Sequence, residues 1–544
     1  MTLGRLVLAP LVVALLGASA FAYPAPTSSA AQRVRADVEY LAGDALEGRG
    51  TGSRGYEMAA AYVASQFRAI GLKPGGADGQ WYLDVPFRQA WHAEAPRAAL
   101  TIRGRELVLR AQADFAVRPS LTSQARRLAA PLVFVGHGIS DSTLGIDDYA
   151  GLDLRGKIAV ALEGAPPGLS SEVSAHLDSW KQTTAADKGA IGLMEIEGTA
   201  PGRGRGLGYY VRPVIDWIDP TGKSTSQSER LQLVGSISRA IGERLFRGAR
   251  RDLSDAARAG LKPGTVTGFE LKSKLTVSDR TRWQDFKSPE VIGLLPGSDP
   301  VLKDEYVVLM AHLDHLGIKS GAAKGEDSIY NGALDNAAGV ATMLEAAREF
   351  VASAKPPRRS VLFIANTGEE KGLRGADYFA AHPTVPAGSI VGLVDLDMPL
   401  LLYDFTDVVA YGGDHSTVAR TIADAAQSMG VKVSPDPMPE EAIFVRSDHY
   451  RFVTRGVPAI LLMTGFGNGG ERKWKDFLAS AYHQPNDDLK QPIRWDQGAR
   501  YAELNYRIAR ALADADQRPL WYKGDYFGDT FAPGQPRADH SSAP

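Results

Sequence analysis

The sequence predicts an α/β fold: a twisted, mostly parallel sheet flanked by helices, with a second, mostly-β module inserted into it. Three observations carry this expectation. From residue 291 onward, continuous apolar runs at 306–311, 361–365, 390–396 and 458–463 alternate with stretches of helical spacing, the pattern of strands buried on both faces. Between 98 and 276 the character changes to short β-type runs, such as 131–135 and 157–162, separated by Gly, Pro and Asp turns. With 544 residues, 44% hydrophobic and 23% charged, the chain has the length for more than one domain and the composition of a globular protein.

The elements follow in chain order. Residues 1–22 read as a signal peptide: Arg5, an apolar run over 6–16, then small residues ending in Ala20-Phe21-Ala22. That run is shorter than the roughly 20 residues a spanning helix needs, so cleavage after Ala22 and a secreted or periplasmic protein free of the membrane are expected. Residues 34–70 have helical spacing, with Met58, Ala59, Val63, Phe67 and Ile70 on one stripe. The glycine-rich turn 46–55 between its two parts reads as a plain loop, and the Gly- and Arg-rich stretch 202–208 as an exposed one. Further helices are predicted at 228–246 and 495–513. The domains are therefore expected at 23–97 together with 277–522, discontinuous, around an insert at 98–276, with a flexible tail over 523–544.

Lys plus Arg total 61 and Asp plus Glu 63, which removes the electrostatic footprint of a nucleic-acid or anionic-membrane binder. Cysteine is absent, so there is no disulfide framework, and any metal site must use nitrogen and oxygen ligands. Oligomeric state is not readable from the sequence.

In open α/β sheets ligands sit beyond the carboxyl ends of the strands. There the chain places His312-Leu313-Asp314 after the first run, Glu369-Glu370 after the second and Asp397 after the third. All are metal-ligand or acid/base types. Strand alternation puts His312 and Asp314 on one face, the spacing at which a carboxylate can orient an imidazole through its second nitrogen. Asp335 falls at the start of a helix whose apolar positions include Val340, Met343, Leu344, Ala347 and Phe350, either as its N-cap or as a carboxylate shared by two cations. Adjacent glutamates allow one to bind metal while the other takes a proton.

Five motifs in order, Ala311-His312-Leu313-Asp314-His315-Leu316-Gly317, Gly332 to Val340, Thr367 to Leu373, Asp395-Leu396-Asp397-Met398 and Tyr482-His483-Gln484-Pro485-Asn486-Asp487, make the chain resemble the M28 family of zinc peptidases. The resemblance implies a zinc-exopeptidase-like fold and two zinc ions per chain. One ion takes His312 and Asp397, the other Glu370 and His483, and Asp335 bridges them across a cis Asp335-Asn336 bond. Glu369 becomes the general base and Asp314 the partner of His312, with Asp395 the alternative to Asp397. The expected activity is hydrolysis of peptides, as an aminopeptidase. Residues 135–157 and 185–192 are similar to the protease-associated domain that some members carry as an insertion, which makes His137 structural. Asp448 is expected to hold the pocket and His449 to pack. The alternatives are a carboxypeptidase-like specificity, which needs a basic residue such as Arg446, a glutaminyl-cyclase-like enzyme, and an inactive binding protein of the same fold.

Overall fold

The computed structural model describes residues 29–199, 204–224, 230–260 and 268–540. The signal-peptide reading of 1–22 lies outside them. Among the described residues no helix is long and apolar enough to cross a membrane.

The site is positioned by helices α1 (Ala30–Leu41), α2 (Arg54–Ile70), α3 (Ser171–Asp187), α4 (Ala338–Ala352), α5 (Trp495–Asp514) and α6 (Tyr526–Phe531). It is also positioned by strands β1 (Tyr82–His92), β2 (Phe269–Leu295), β3 (Tyr306–His312), β4 (Ser360–Asn366), β5 (Ile390–Asp395), β6 (Asp407–Tyr411) and β7 (Ala459–Thr464). Pairing gives the order β1-β2-β4-β3-β5-β7-β6. The four strands β4, β3, β5 and β7 run parallel, with antiparallel neighbours on either side. All seven residues of β4 and all six of β7 are buried, so both faces are covered, as their unbroken apolar character predicts. Helices α1, α4 and α5 pack on one another beside this sheet. From β3 the chain moves to β4 on one side and then to β5 on the other. This reversal opens a crevice beyond the carboxyl ends of these strands.

The second sheet takes the first half of β2 together with Arg97–Ile102, Ala125–Phe134, Ile158–Leu162, Gly192–Ile196 and Leu233–Ile237. β2 is thus one 27-residue strand shared by both sheets. Val214–Trp217, within the predicted insert, pairs with β1 and so belongs to the first sheet. Two separate apolar clusters lie on the second sheet, apart from the main core.

The structure corrects the sequence reading in three places. The stretch 228–246 is not one helix: Leu233–Ile237 is a fully buried parallel strand, and Ser238 then caps the helix Arg239–Phe246 by accepting from the Ile241 N–H. Helix α3 was not predicted, because its buried face mixes Val173 and Leu177 with His176, Lys181 and Thr183 and so hides the apolar period. The segment from 523, expected to be a flexible tail, instead carries α6. Phe527 there is 1% exposed and packs edge-on against His415 and Tyr450.

Candidate metal centre

β3 delivers His312 to the crevice, 1% exposed. Its Nδ1 lies 2.9 Å from the Asp314 carbonyl oxygen, which accepts the ring proton and leaves Nε2 facing inward. That Nε2 is 3.2 Å from Asp335 Oδ1 and 3.1 Å from Asp397 Oδ1. The chain brings the other expected residues to the same place. His483 Nε2 is 3.3 Å from the second Asp335 oxygen and 3.4 Å from Glu370 Oε2. Asp335 therefore turns one oxygen to each histidine. The Asp335-Asn336 bond is cis.

Asp395 is occupied differently from Asp397. It accepts hydrogen bonds from Ser447 Oγ at 2.8 Å and from the His449 N–H at 3.1 Å, and Ser447 also reaches Asp397 Oδ2 at 2.8 Å. The geometry puts Asp397, not Asp395, against His312. Asp314 departs from expectation in how it acts. Its carbonyl rather than its carboxylate meets His312, while the carboxylate accepts from Thr51 Oγ1 at 2.6 Å and from the Glu369 N–H at 3.2 Å. Asp448, fully buried, accepts from Asn366 Nδ2 at 2.6 Å. His449 is buried with its ring against Phe444 and its Nδ1 3.4 Å from Asp395 Oδ2. His137 is tied into the second module by the Gly164 and Gly260 carbonyls and by Asp148. Arg446 pairs with Glu441 at 2.8 Å.

Several residues that hold the centre were not predicted. His315 is fully buried with Nδ1 2.7 Å from Glu370 Oε1 and 4.0 Å from Asp335 Oδ2. With Asp335 and Glu370 it forms a second group of metal-ligand types beside His312, Asp335 and Asp397. His483 Nε2 is nearly equidistant from the same two carboxylates, whereas His315 Nδ1 is close to one only, and His315 Nδ1, His315 Nε2 and Glu370 Oε1 are all buried without a hydrogen-bond partner. Both Asp487 oxygens accept at 3.0 Å from consecutive backbone N–H groups, Leu334 and Asp335, which fixes the loop that carries Asp335. Arg49, in the turn read as a plain loop, is 1% exposed and donates to the carbonyls of Leu41, Leu313, Asn331 and Gly332.

The electrostatics fit a cation. Asp335, Glu370 and Asp397 converge with Glu369, Asp395 and Asp448 close by, so that six carboxyl groups crowd one buried space, where a cation would favour their ionised forms. Burial pushes the Glu369 carboxyl well above the usual range, and Glu370 and Asp397 add to the shift although His312 opposes it. Burial likewise raises Asp397 and Asp448. Burial alone would lower the His312 pKa, but Asp397 and Asp335 hold it well above the ordinary value. Asp335 is the opposite case: burial would raise it, and the surrounding histidines pull it well below. The His312 Nε2 proton held between two carboxylate oxygens is one that a divalent ion among them would replace. Two histidines with three carboxylates form a nitrogen and oxygen donor set suited to zinc.

Residues 290–509 match the family model described as Peptidase family M28. A protein of Phaeosphaeria nodorum described as "Probable zinc metalloprotease" is 36% identical over 266 residues, covering 41% of this chain and 47% of its own. One of Leptosphaeria maculans with the same description is 25% identical over 229 residues, covering 38% of this chain and 50% of its own. The chain thus spans about half the length of these curated relatives. Among solved structures, an aminopeptidase from Aneurinibacillus sp. strain AM-1 aligns over 90% of this chain and 95% of its own, at 21% identity and a TM-score of 0.49.

Proposed function

We propose, from the match of residues 290–509 to the peptidase family M28 model, that the chain is a member of that family and a two-zinc aminopeptidase releasing N-terminal residues from peptides. The observation that carries this reading is Asp335, whose two oxygens face His312 and His483 separately at 3.2 and 3.3 Å. One zinc would be held by His312, Asp335 and Asp397, the other by Asp335, Glu370 and His483. When bound, such a pair acidifies water and polarises a carbonyl oxygen.

The chain's own groups supply the rest. Glu369 takes a proton from the attacking water and returns it to the departing amine nitrogen, so that one peptide C–N bond breaks for each water consumed. Asp314 positions both partners, Glu369 through its backbone N–H and His312 through its ring N–H. His315 lies with Nδ1 2.7 Å from one Glu370 oxygen, and the other Glu370 oxygen faces His483. Residues 98–276 serve as a protease-associated-like insertion, and residues 1–22 direct export to the periplasm or the medium.

The test is a set of matched peptides with free and acetylated N-termini, assayed before and after exhaustive chelation and after zinc is restored. Cleavage of the free peptides alone, abolished by chelation and recovered with two equivalents of zinc, is the expected result. Equal cleavage of acetylated peptides overturns the aminopeptidase reading, and activity indifferent to chelation overturns the metal reading.

A further inference from the structure

Outside the ligand cluster, a large cleft of about 520 Å³ lies between the second module and the first sheet. Its walls carry five arginines: Arg118 and Arg205 from the module, and Arg374, Arg451 and Arg455 from the first-sheet side. Asp377 is the one carboxylate among its lining residues. Gly372 also lines it and follows Glu370 by two residues, so the cleft comes within about 7 Å of a candidate ligand's backbone.

The charges on its walls are unequally satisfied. Arg205 pairs with Asp178 at 2.6 Å, Arg374 with Asp216 at 3.5 Å and Arg455 with Asp377 at 3.9 Å. Arg118 instead hydrogen-bonds the Tyr209 hydroxyl at 2.9 Å and lies over that ring, and no carboxylate among the described residues pairs with it. Arg451 donates one Nη hydrogen bond to the Gly372 carbonyl at 3.2 Å, while its Nε is buried without a partner. Burial pushes the Arg451 pKa down, and Asp377 offsets only part of that. A guanidinium in that state gains most from a planar anion that meets its fork with two parallel hydrogen bonds. The volume suits a peptide segment rather than a lone ion.

We infer that this cleft binds a carboxylate of the peptide substrate through Arg118 and Arg451, making the protein selective for peptides that carry negative charge beyond the scissile bond. The inference rests on the peptidase reading for its ligand class. A carboxylate can come from an acidic side chain or from the peptide C-terminus, and the test separates the two.

The full chain is titrated with three acetylated probes: a tri-alanine amide, an alanyl-glutamyl-alanine amide and a tri-alanine with a free C-terminus. Binding is read by the fluorescence of Trp180 and Trp217, which line the cleft. At least one carboxylate probe is expected to bind roughly tenfold more tightly than the amide, with the advantage falling as salt rises. The better of the two carboxylate probes identifies the source. Arg118→Gln with Arg451→Gln removes the advantage, and Arg451→Lys, which keeps the charge and the fold, retains part of it. Equal affinity for all three probes, or full discrimination in the double variant, overturns the inference. Hydrolysis of unblocked tri-alanine amide by the unaltered chain, run in parallel, reports on the peptidase reading alone: its absence sinks that reading and leaves the binding result standing.

Discussion

Replacing His415 should produce a stability loss that depends on pH, and the structure sets its size. His415 ends the short turn Gly413–His415 after β6 and touches three parts of the chain. Its Nδ1 is 2.6 Å from Asp525, the N-cap of α6, and its Nε2 is 3.2 Å from Glu172 at the start of α3 in the second module. The rings of Phe444 and Phe527 cover it. Burial would lower its pKa, but the hydrogen bonds to Asp525 and Glu172 prevail and raise it from 6.5 to about 9. At 1.36 kcal/mol per unit, the charged pairings contribute about 3 kcal/mol. The side chain is only 17% exposed, so solvent screening removes little of this. Because the folded-state pKa is raised, the contribution is complete below pH 6.5 and is lost as pH rises through about 9. The assay is equilibrium denaturation of the protein and of His415→Gln at pH 6 and pH 10. The deficit of the variant is compared, so that other titrating groups cancel. That deficit should shrink by about 3 kcal/mol at the higher pH. A deficit that is flat across the range, or that grows, refutes the reasoning.

Three further outcomes are expected at the metal centre. Glu369→Gln should lower turnover by about 10²- to 10⁴-fold while metal content by elemental analysis stays at that of the unaltered protein; metal lost in step with activity would contradict the separate roles of the two glutamates. Asp487→Asn puts an amide donor against the Leu334 and Asp335 N–H groups and should weaken zinc affinity about 10- to 100-fold in a competition titration with a chelating dye; an unchanged affinity would show that the loop holds itself. Gly339→Ala places a Cβ 2.1 Å from both Asn336 Oδ1 and the Leu396 carbonyl, so the loops bearing Asp335 and Asp397 must part. A cost of about 1–3 kcal/mol in thermal stability is expected together with weaker metal binding, and a variant equal to the parent in both would refute the packing argument.

The elements that could be read from the chain alone are those whose burial is uniform. β3, β4, β5 and β7 are covered on both faces, so their sequences are unbroken apolar runs, and α5 shows a strong apolar stripe because one side of it is solvated. Where burial is mixed, the signal fails. Leu233–Ile237 adjoins a capped helix with no polar break between them other than Ser238, and it is pairing with Gly192–Ile196 on one edge and Phe115–Val117 on the other that makes it a strand. α3 buries Lys181 against Glu195 and Asp178, an ion-pair core that no hydrophobic period can report.

The same distinction divides the candidate site. Its candidate ligands are chemically distinctive side chains at strand ends, where an α/β sheet gathers ligands, so residue type and position together single them out. What holds those side chains is largely backbone: the Asp314 carbonyl sets the His312 tautomer, Asp487 grips two successive N–H groups, and Arg49 satisfies four carbonyls from three separate segments. A carbonyl oxygen is present at every position of every sequence and marks none of them. The glycine-rich turn 46–55 could therefore read only as a loop, although Arg49 and Thr51 within it join the first helices to Leu313 and Asp314 and so help to aim both the histidine and Glu369. A change at Arg49 should accordingly disturb metal binding from a position that carries no ligand.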